Sequence, residues 1–324
     1  MHVTILMAEH CAAASSTLAL EVLQAANLFY GDSHGERCFD VVTASIDGNP
    51  VMTSSGQAMP VDAALEHVSA TDIVLIPGFI FTLKAAIGSF SAYKPWLEKQ
   101  HRAGAMIASM CNSAFLLADS GLLDGRRATT HWAFTEFFRR LHPSVHLDET
   151  LIVCDDGELI TSGGATAAMD LLLYIIRRFV SLDLAQTCAR YLLVDGIRQG
   201  QTPYAQWAMP KNHSDTRIVE VQQWLESNFA SAVSIDELGK QFGFGVRNFK
   251  RRFKEATGHT PLTYIQTLRV EKAKALLEST RMNFEAITMQ VGYEDTNSFR
   301  RLFSKQVGLT PTFYRKKFCS ERFE

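Results

Sequence analysis

The feature that most constrains this 324-residue chain is a pattern it carries twice between Ser234 and Tyr314. Leu238, Gly243, Phe244 and Asn248 of the first copy fall on Ile287, Gly292, Tyr293 and Asn297 of the second. After one inserted residue, Phe249, Phe253, Gly258 and Pro261 fall on Phe299, Phe303, Gly308 and Pro311. Such self-similarity marks one supersecondary unit per copy. Each copy has the grammar of a helix-turn-helix. A short apolar-periodic helix stops at a glycine able to take the left-handed conformation of a sharp corner. An aromatic plugs that corner, and a second helix runs to another glycine with a proline shortly beyond. Phe249, Phe253 and Ala256 share one face of the second helix, as do Phe299, Phe303 and Val307 in the other copy. A single amphipathic helix of this kind would merely show water its polar side. Two copies with matching glycines, aromatics and Thr-Pro corners make that reading insufficient.

The polar faces carry residue types that reach phosphates and base edges. Arg247, Asn248, Lys250, Arg251 and Lys254 in the first copy, and Thr296, Asn297, Arg300, Arg301 and Ser304 in the second, are the candidate DNA contacts. From about His213 to Phe318 the chain resembles the AraC/XylS transcription-factor domain, in which two such units are joined by a long helix. PLTYIQTLRVEKAKALLEST matches the proline-led linker helix of that family. Leu262, Ile265, Arg269, Ala273 and Leu276 fall on one face of it, where Arg269 is expected to pair with an acid or to snorkel. Gly245–Val246 opens the first recognition helix without a capping side chain, whereas Asp295 supplies one for the second.

Charge supports a polyanion partner at this end only. From Lys211 onward there are 19 Lys and Arg against 13 Asp and Glu, while the remainder holds 13 against 21. Six scattered cysteines without CxxC spacing argue for a reducing compartment and against disulfides or a zinc site. No apolar run reaches membrane-spanning length, and the N-terminus lacks the features of a secretory signal. A cytoplasmic protein without a membrane partner, metal or cofactor is expected.

The first two-thirds alternates strand and helix signals. Strands are expected at His2–Ala8, Phe39–Ala44, Asp72–Ile76 and Ala105–Met110, with a hairpin of Leu151–Cys154 and Glu158–Thr161 around Asp155–Asp156–Gly157. Helices are expected at Thr17–Phe29, Tyr93–Arg102, Asn112–Asp119, about Ala165–Val180 and Leu184–Val194. The alternation implies a mostly parallel sheet covered by helices on both faces. Gly196–Asn212, with two prolines, two glycines and three glutamines, reads as a linker.

Within this part, IASMCNSAF reads as a strand, a one-residue turn and a helix, the geometry of a nucleophile elbow with Cys111 at its apex. A helix N-terminus there can lower a thiol pKa and hold an anion. His131 is the candidate base. The bare residues also fit an inert buried cysteine and a histidine that satisfies one hydrogen bond. MCNSAFLLADSGLLDGRRATTHW, LIPG at Leu75–Gly78 and LITSGGATAAMDLLL from Leu159 resemble the ThiJ/PfpI superfamily, with its class I glutamine amidotransferase-like fold. They are most similar to the GlxA-like branch fused to AraC-type domains, so the resemblance spans about Val3 to Phe318.

Two departures from the catalytic members bear on function. Ser15 stands where the family's supporting acid would be, and PGF replaces PGG, so that Phe79 shapes the pocket. A Cys–His pair without that acid is poorly set up for acyl transfer, leaving Cys111 and His131 as vestigial catalytic candidates. What remains is a nook of backbone N–H donors near Gly78 and Asn112, able to hold a carboxylate. Ser15, Gly78, Phe79, Cys111, Asn112, His131 and Trp132 are the candidate ligand-binding residues.

The expected organisation is an α/β domain over 1–195, a linker over 196–212 and an all-α domain with two helix-turn-helix units over 213–324. The resemblance implies a non-enzymatic, homodimeric bacterial transcriptional regulator that binds double-stranded DNA and meets RNA polymerase if it activates. Its implied effector is a small molecule such as an amino acid, betaine or other amine. The rival readings are a cysteine-dependent amidase or hydratase, a redox or electrophile sensor through Cys111, and a dimerising module with a vestigial pocket.

Overall fold

The computed structural model describes residues 1–79, 82–195, 198, 200–207, 211 and 213–319. The chain divides into two compact units, Met1–Gln201 and Thr202–Glu324.

The first unit is built on a seven-stranded sheet of β1 (His2–Leu6), β2 (Asp40–Ser45), β3 (Ala63–Ala64), β4 (Ile73–Ile76), β5 (Met106–Ser109), β6 (Val153–Asp155) and β7 (Leu159–Ser162). Their order is β6-β7-β5-β4-β1-β2-β3, and all pairings are parallel except the β6–β7 hairpin. The inner strands are wholly apolar or nearly so because both faces are covered: every residue of β4 and β5 is buried. The edge strand β3 is two alanines long, too short and too weakly β-prone to announce itself in the sequence.

Helices α1 (Ala13–His34), α2 (Lys94–Arg102), α3 (Ala114–Asp119), α4 (Thr135–Leu141), α5 (Ala167–Phe179) and α6 (Leu182–Tyr191) flank the sheet. Helix α1 exceeds its expected span and ends where Gly35 adopts φ +74°. Helix α6 starts two residues earlier than its periodicity implies, because the Ser181 hydroxyl accepts the Leu184 N–H (3.1 Å) and caps it. Asn112 belongs not to α3 but to a 3-10 turn, Cys111–Ser113, ahead of it.

The second unit holds seven α-helices among its described residues: α7 (Thr216–Asn228), α8 (Ile235–Gln241), α9 (Val246–Thr257), α10 (Pro261–Ser279), α11 (Phe284–Gln290), α12 (Thr296–Val307) and α13 (Pro311–Phe318). Two separate apolar cores form, one per repeat. Phe249 and Phe253 anchor the first with Ile218, Leu225 and Leu238; Phe299 and Phe303 anchor the second with Ile287 and Tyr314. The long helix α10 gives Tyr264 and Ile265 to the first core and Val270, Ala273 and Leu277 to the second. Its buried face is therefore rotated from the one expected, and Leu262 is exposed.

Arg269 neither meets an acid nor snorkels. Its guanidinium donates to the Phe229 carbonyl (2.7 Å) and the Ser231 carbonyl (2.8 Å), and lies over the Tyr293 ring. A cation at the exit of α7 satisfies carbonyls that no helical N–H can reach. It thereby ties the first repeat to the corner of the second.

The stretch read as a linker is held for part of its length. Among its described residues, Arg198 and Gln201 bind within the first unit, while Tyr204, Ala205 and Trp207 bind within the second. Residues 196, 197, 199, 208–210 and 212 lie outside the described residues.

Candidate functional site

Sheet register positions the elbow. Ile76 pairs with Ser109, and Ser109 with Thr161. The carboxyl ends of β4, β5 and β7 therefore leave the sheet side by side, where parallel α/β sheets collect ligands. Cys111 adopts φ +60°, a conformation that non-glycine residues avoid and that marks a strained turn. The segment around Gly78 passes flush against it: a Cβ on Gly78 would lie 2.9 Å from the Cys111 Cβ.

The structure closes much of what the sequence leaves open. The Gly78 N–H donates to the Ser15 hydroxyl (3.2 Å), which itself donates to the Ala12 carbonyl (3.1 Å). The Phe79 N–H donates to Asn112 Oδ1 (2.6 Å), and Asn112 Nδ2 returns a bond to the Phe79 carbonyl (3.1 Å). A carboxamide offers both an acceptor and a donor, so it engages both main-chain groups of Phe79. The anion nook expected here is thus corrected, since both of these loop donors are spent inside the protein. Ser15, Phe79, Cys111 and Asn112 are all buried.

The thiol is corrected in the same direction. Burial pushes Cys111 up to about 12, and only the Asn112 backbone N–H pulls the other way. A three-residue 3-10 turn followed by a six-residue helix supplies too little dipole to offset that desolvation.

His131 is half-buried on the loop after Thr130, whose hydroxyl donates to the Cys111 carbonyl (3.2 Å). Its Nδ1 accepts the Ala133 N–H (3.0 Å) and caps the turn Trp132–Phe134. In the neutral ring the proton then sits on Nε2, which becomes a donor. Among the described residues no hydrogen bond joins His131 to Cys111 or to an acid. The ring packs near Trp132 and Phe134, with Gly164 close behind it. The candidates therefore separate into a sealed group (Ser15, Gly78, Phe79, Cys111, Asn112) and a half-buried one (His131, Trp132).

Burial holds the His131 pKa below its usual value, which gives a prediction. A histidine depressed in the folded state favours folding above about 6.5, and that contribution is lost as pH falls through the folded value. The wild-type melting temperature should therefore fall between pH 7 and pH 5 more steeply than that of His131→Asn, which caps without titrating. Parallel pH profiles would show that the Nδ1 cap is not the titrating contact.

One residue of this site was missed by sequence reasoning. Gln201 is buried, its Oε1 accepting the Trp132 N–H (3.1 Å) and its Nε2 donating to the Thr130 carbonyl (2.7 Å) and the Leu151 carbonyl (3.1 Å). A glutamine in a polar stretch carries no sequence signal of such a role.

In the second unit the phenylalanine stripes are buried and the opposite faces exposed. Arg247, Asn248, Lys250, Arg251, Lys254, Asn297, Arg300 and Arg301 face solvent, with Thr296 and Ser304 half-buried. Gly243 and Gly292 turn the corners at φ +69° and +84°. The Asp295 carboxylate caps α12 at the Asn297 and Ser298 N–H groups (both 3.1 Å), while Gly245 gives α9 no side-chain cap. Arg251 rests between Asn248 Oδ1 (3.0 Å) and Glu255 (2.7 Å), and Lys250 meets Asp236 (2.8 Å). Exposed pairs of this kind are worth at most about 1 kcal/mol and exchange readily for phosphate or base. Arg252 is different: it grips the α7 cap Asp215 with two nitrogens and lies over Phe244, so it is structural.

Comparison with known proteins agrees with both halves. The family profile described as DJ-1/PfpI family matches residues 1–178, and one described as a helix-turn-helix domain matches residues 238–317. The HTH-type transcriptional regulator CdhR of Pseudomonas aeruginosa is 29% identical over 91% of this chain and 85% of its own length. The HTH-type transcriptional regulator GlxA of Rhizobium meliloti is 26% identical over 94% of this chain and 93% of its own. Among solved structures, Drosophila melanogaster DJ-1beta superposes with a TM-score of 0.52 at 24% identity, covering 60% of this chain and 98% of that one. That likeness concerns the fold.

Proposed function

The chain belongs to the DJ-1/PfpI family and carries a helix-turn-helix domain, and from that premise we propose that it is a DNA-binding transcriptional regulator whose first unit responds to a small molecule. The observation that carries the reading is the pair of recognition helices, α9 and α12, each burying a phenylalanine stripe and exposing arginines. Relatives that match both halves over most of their length are named HTH-type transcriptional regulators. Two recognition helices in one chain suit two successive major-groove segments on one face of the duplex.

The effector is read as a carboxylate-bearing amine of amino-acid or betaine type. It is held at the half-buried rim, where the neutral His131 Nε2–H can donate to an acceptor group beside Trp132. The protein is read as non-enzymatic: Cys111 holds its proton, the Nδ1 lone pair of His131 is engaged, and Ser15 supplies no carboxylate. A homodimer in the cytoplasm, meeting RNA polymerase where it activates, completes the proposal. No helix among the described residues is long and apolar enough to cross a membrane.

The test is selection of a duplex from a random library by the full chain, followed by gel shifts. Arg251→Ala and Arg301→Ala should each cost about 1–3 kcal/mol and relax preference at one base position. Lys254→Ala should weaken all sequences alike and lower the salt slope by about one. If Arg251→Ala and Arg301→Ala leave both affinity and preference unchanged, these helices do not read the groove.

A further inference from the structure

Gln201 is the last residue of the first unit, and Thr202 begins the second. Its side chain is clamped on the loop that carries His131 and Trp132. A Cβ on Gly163 would stand 2.8 Å from Gln201 Oε1, so the carboxamide seats directly against a glycine. Four residues on, the chain is clamped again. The Ala205 carbonyl accepts a bond from Lys274 Nζ (2.6 Å), a buried ammonium on α10 that is also paired with Glu271 (2.9 Å). Two residues further, Trp207 packs its ring against Tyr264 of the same helix. The span from Gln201 to Ala205 can extend at most roughly 14 Å. Helix α10 is the element that both repeats share.

We propose that this segment is a coupling strap, with Gln201 as the latch that links the state of the His131–Trp132 loop to helix α10. The proposal rests on the effector-sensing reading above. A ligand that shifts the loop must give up or keep the bond between the Trp132 N–H and Gln201 Oε1. That choice sets whether Gln201 stays seated, and so whether the chain leading to Ala205 starts from a held anchor. The side chains that make both anchors, Gln201 and Lys274, are buried, so a lost bond would leave a buried polar group unpaired and each end is either made or lost.

Coupling of this kind is reciprocal, so it is testable before the effector is known. Full-length protein is bound to the duplex it selects from a random library, and hydrogen exchange is followed at the amides of residues 129–132. In wild type, DNA should change exchange there by about fivefold or more, the lower end of ordinary site-to-site coupling. Gln201→Ala should abolish the DNA-linked change while affinity for the duplex stays within a few-fold. A four-residue Gly-Ser insertion between Gln201 and Thr202 should do the same with both anchors intact, which separates coupling from loss of fold. If either variant keeps the full DNA-linked change, the strap is not the route. If wild type binds its duplex with no change at 129–132, the strap proposal falls and the regulator reading stands. If no duplex is enriched, the regulator reading falls and takes the strap with it.

Discussion

Gly292→Ala is expected to destabilise the second repeat by about 3–5 kcal/mol, enough to unfold that half at moderate temperature. Two costs combine. Gly292 adopts φ +84°, which a side chain resists by about 1–2 kcal/mol. The added Cβ would also fall 2.3 Å from the Ala230 carbonyl oxygen and 2.7 Å from its carbon, backbone atoms that cannot swing aside. Gly308→Ala is the matched control. Its φ of +77° is nearly the same, but the nearest atom to the new Cβ is 3.7 Å away, so only the conformational cost of about 1–2 kcal/mol remains. Urea denaturation of the two variants should separate them by at least about 2 kcal/mol, with gel shifts showing that Gly292→Ala alone loses the base preferences read by α12. Equal destabilisation would mean that the turn after α7 does not pack on this corner as described.

Iodoacetamide should modify Cys111 about a thousandfold more slowly in the folded protein than in urea at pH 7.5. A thiol pushed up to about 12 is ionised some three powers of ten less than an ordinary cysteine, and only the thiolate attacks. Burial of the side chain slows it further. Peptide mass spectrometry resolves Cys111 from Cys319, which is partly exposed and should label readily. Fast labelling of Cys111 in the folded state would revive the electrophile-sensor reading. Slow labelling, together with no consumption of amino acids or betaines incubated with the protein, supports a site that binds and does not turn over.

How much of this was legible in sequence follows from the range of the interactions. The sheet and both helix-turn-helix units rest on local periodicity, glycine corners and caps, all of which are written within a dozen residues. Cys111 at a strained turn was legible for the same reason. Its chemistry was not, because burial raises the pKa and Gly78, which lies flush against it, comes from the end of a different strand. Arg269 shows the same limit: its partners lie 38 and 40 residues away, and they are carbonyls, which every residue type presents alike. Gln201 reaches back 71 residues to Thr130, from a stretch whose composition reads as spacer.

The tie made by Arg269 and the close seat of Gly292 on Ala230 also has a meaning for the nucleic acid. Together they gauge the distance between the two recognition helices, as the fixed jaws of a caliper would. A duplex read by both helices would have to bend or overtwist the base pairs between the two read segments to match that span. Their stiffness would then enter the binding energy and select sequence at positions between the two read segments.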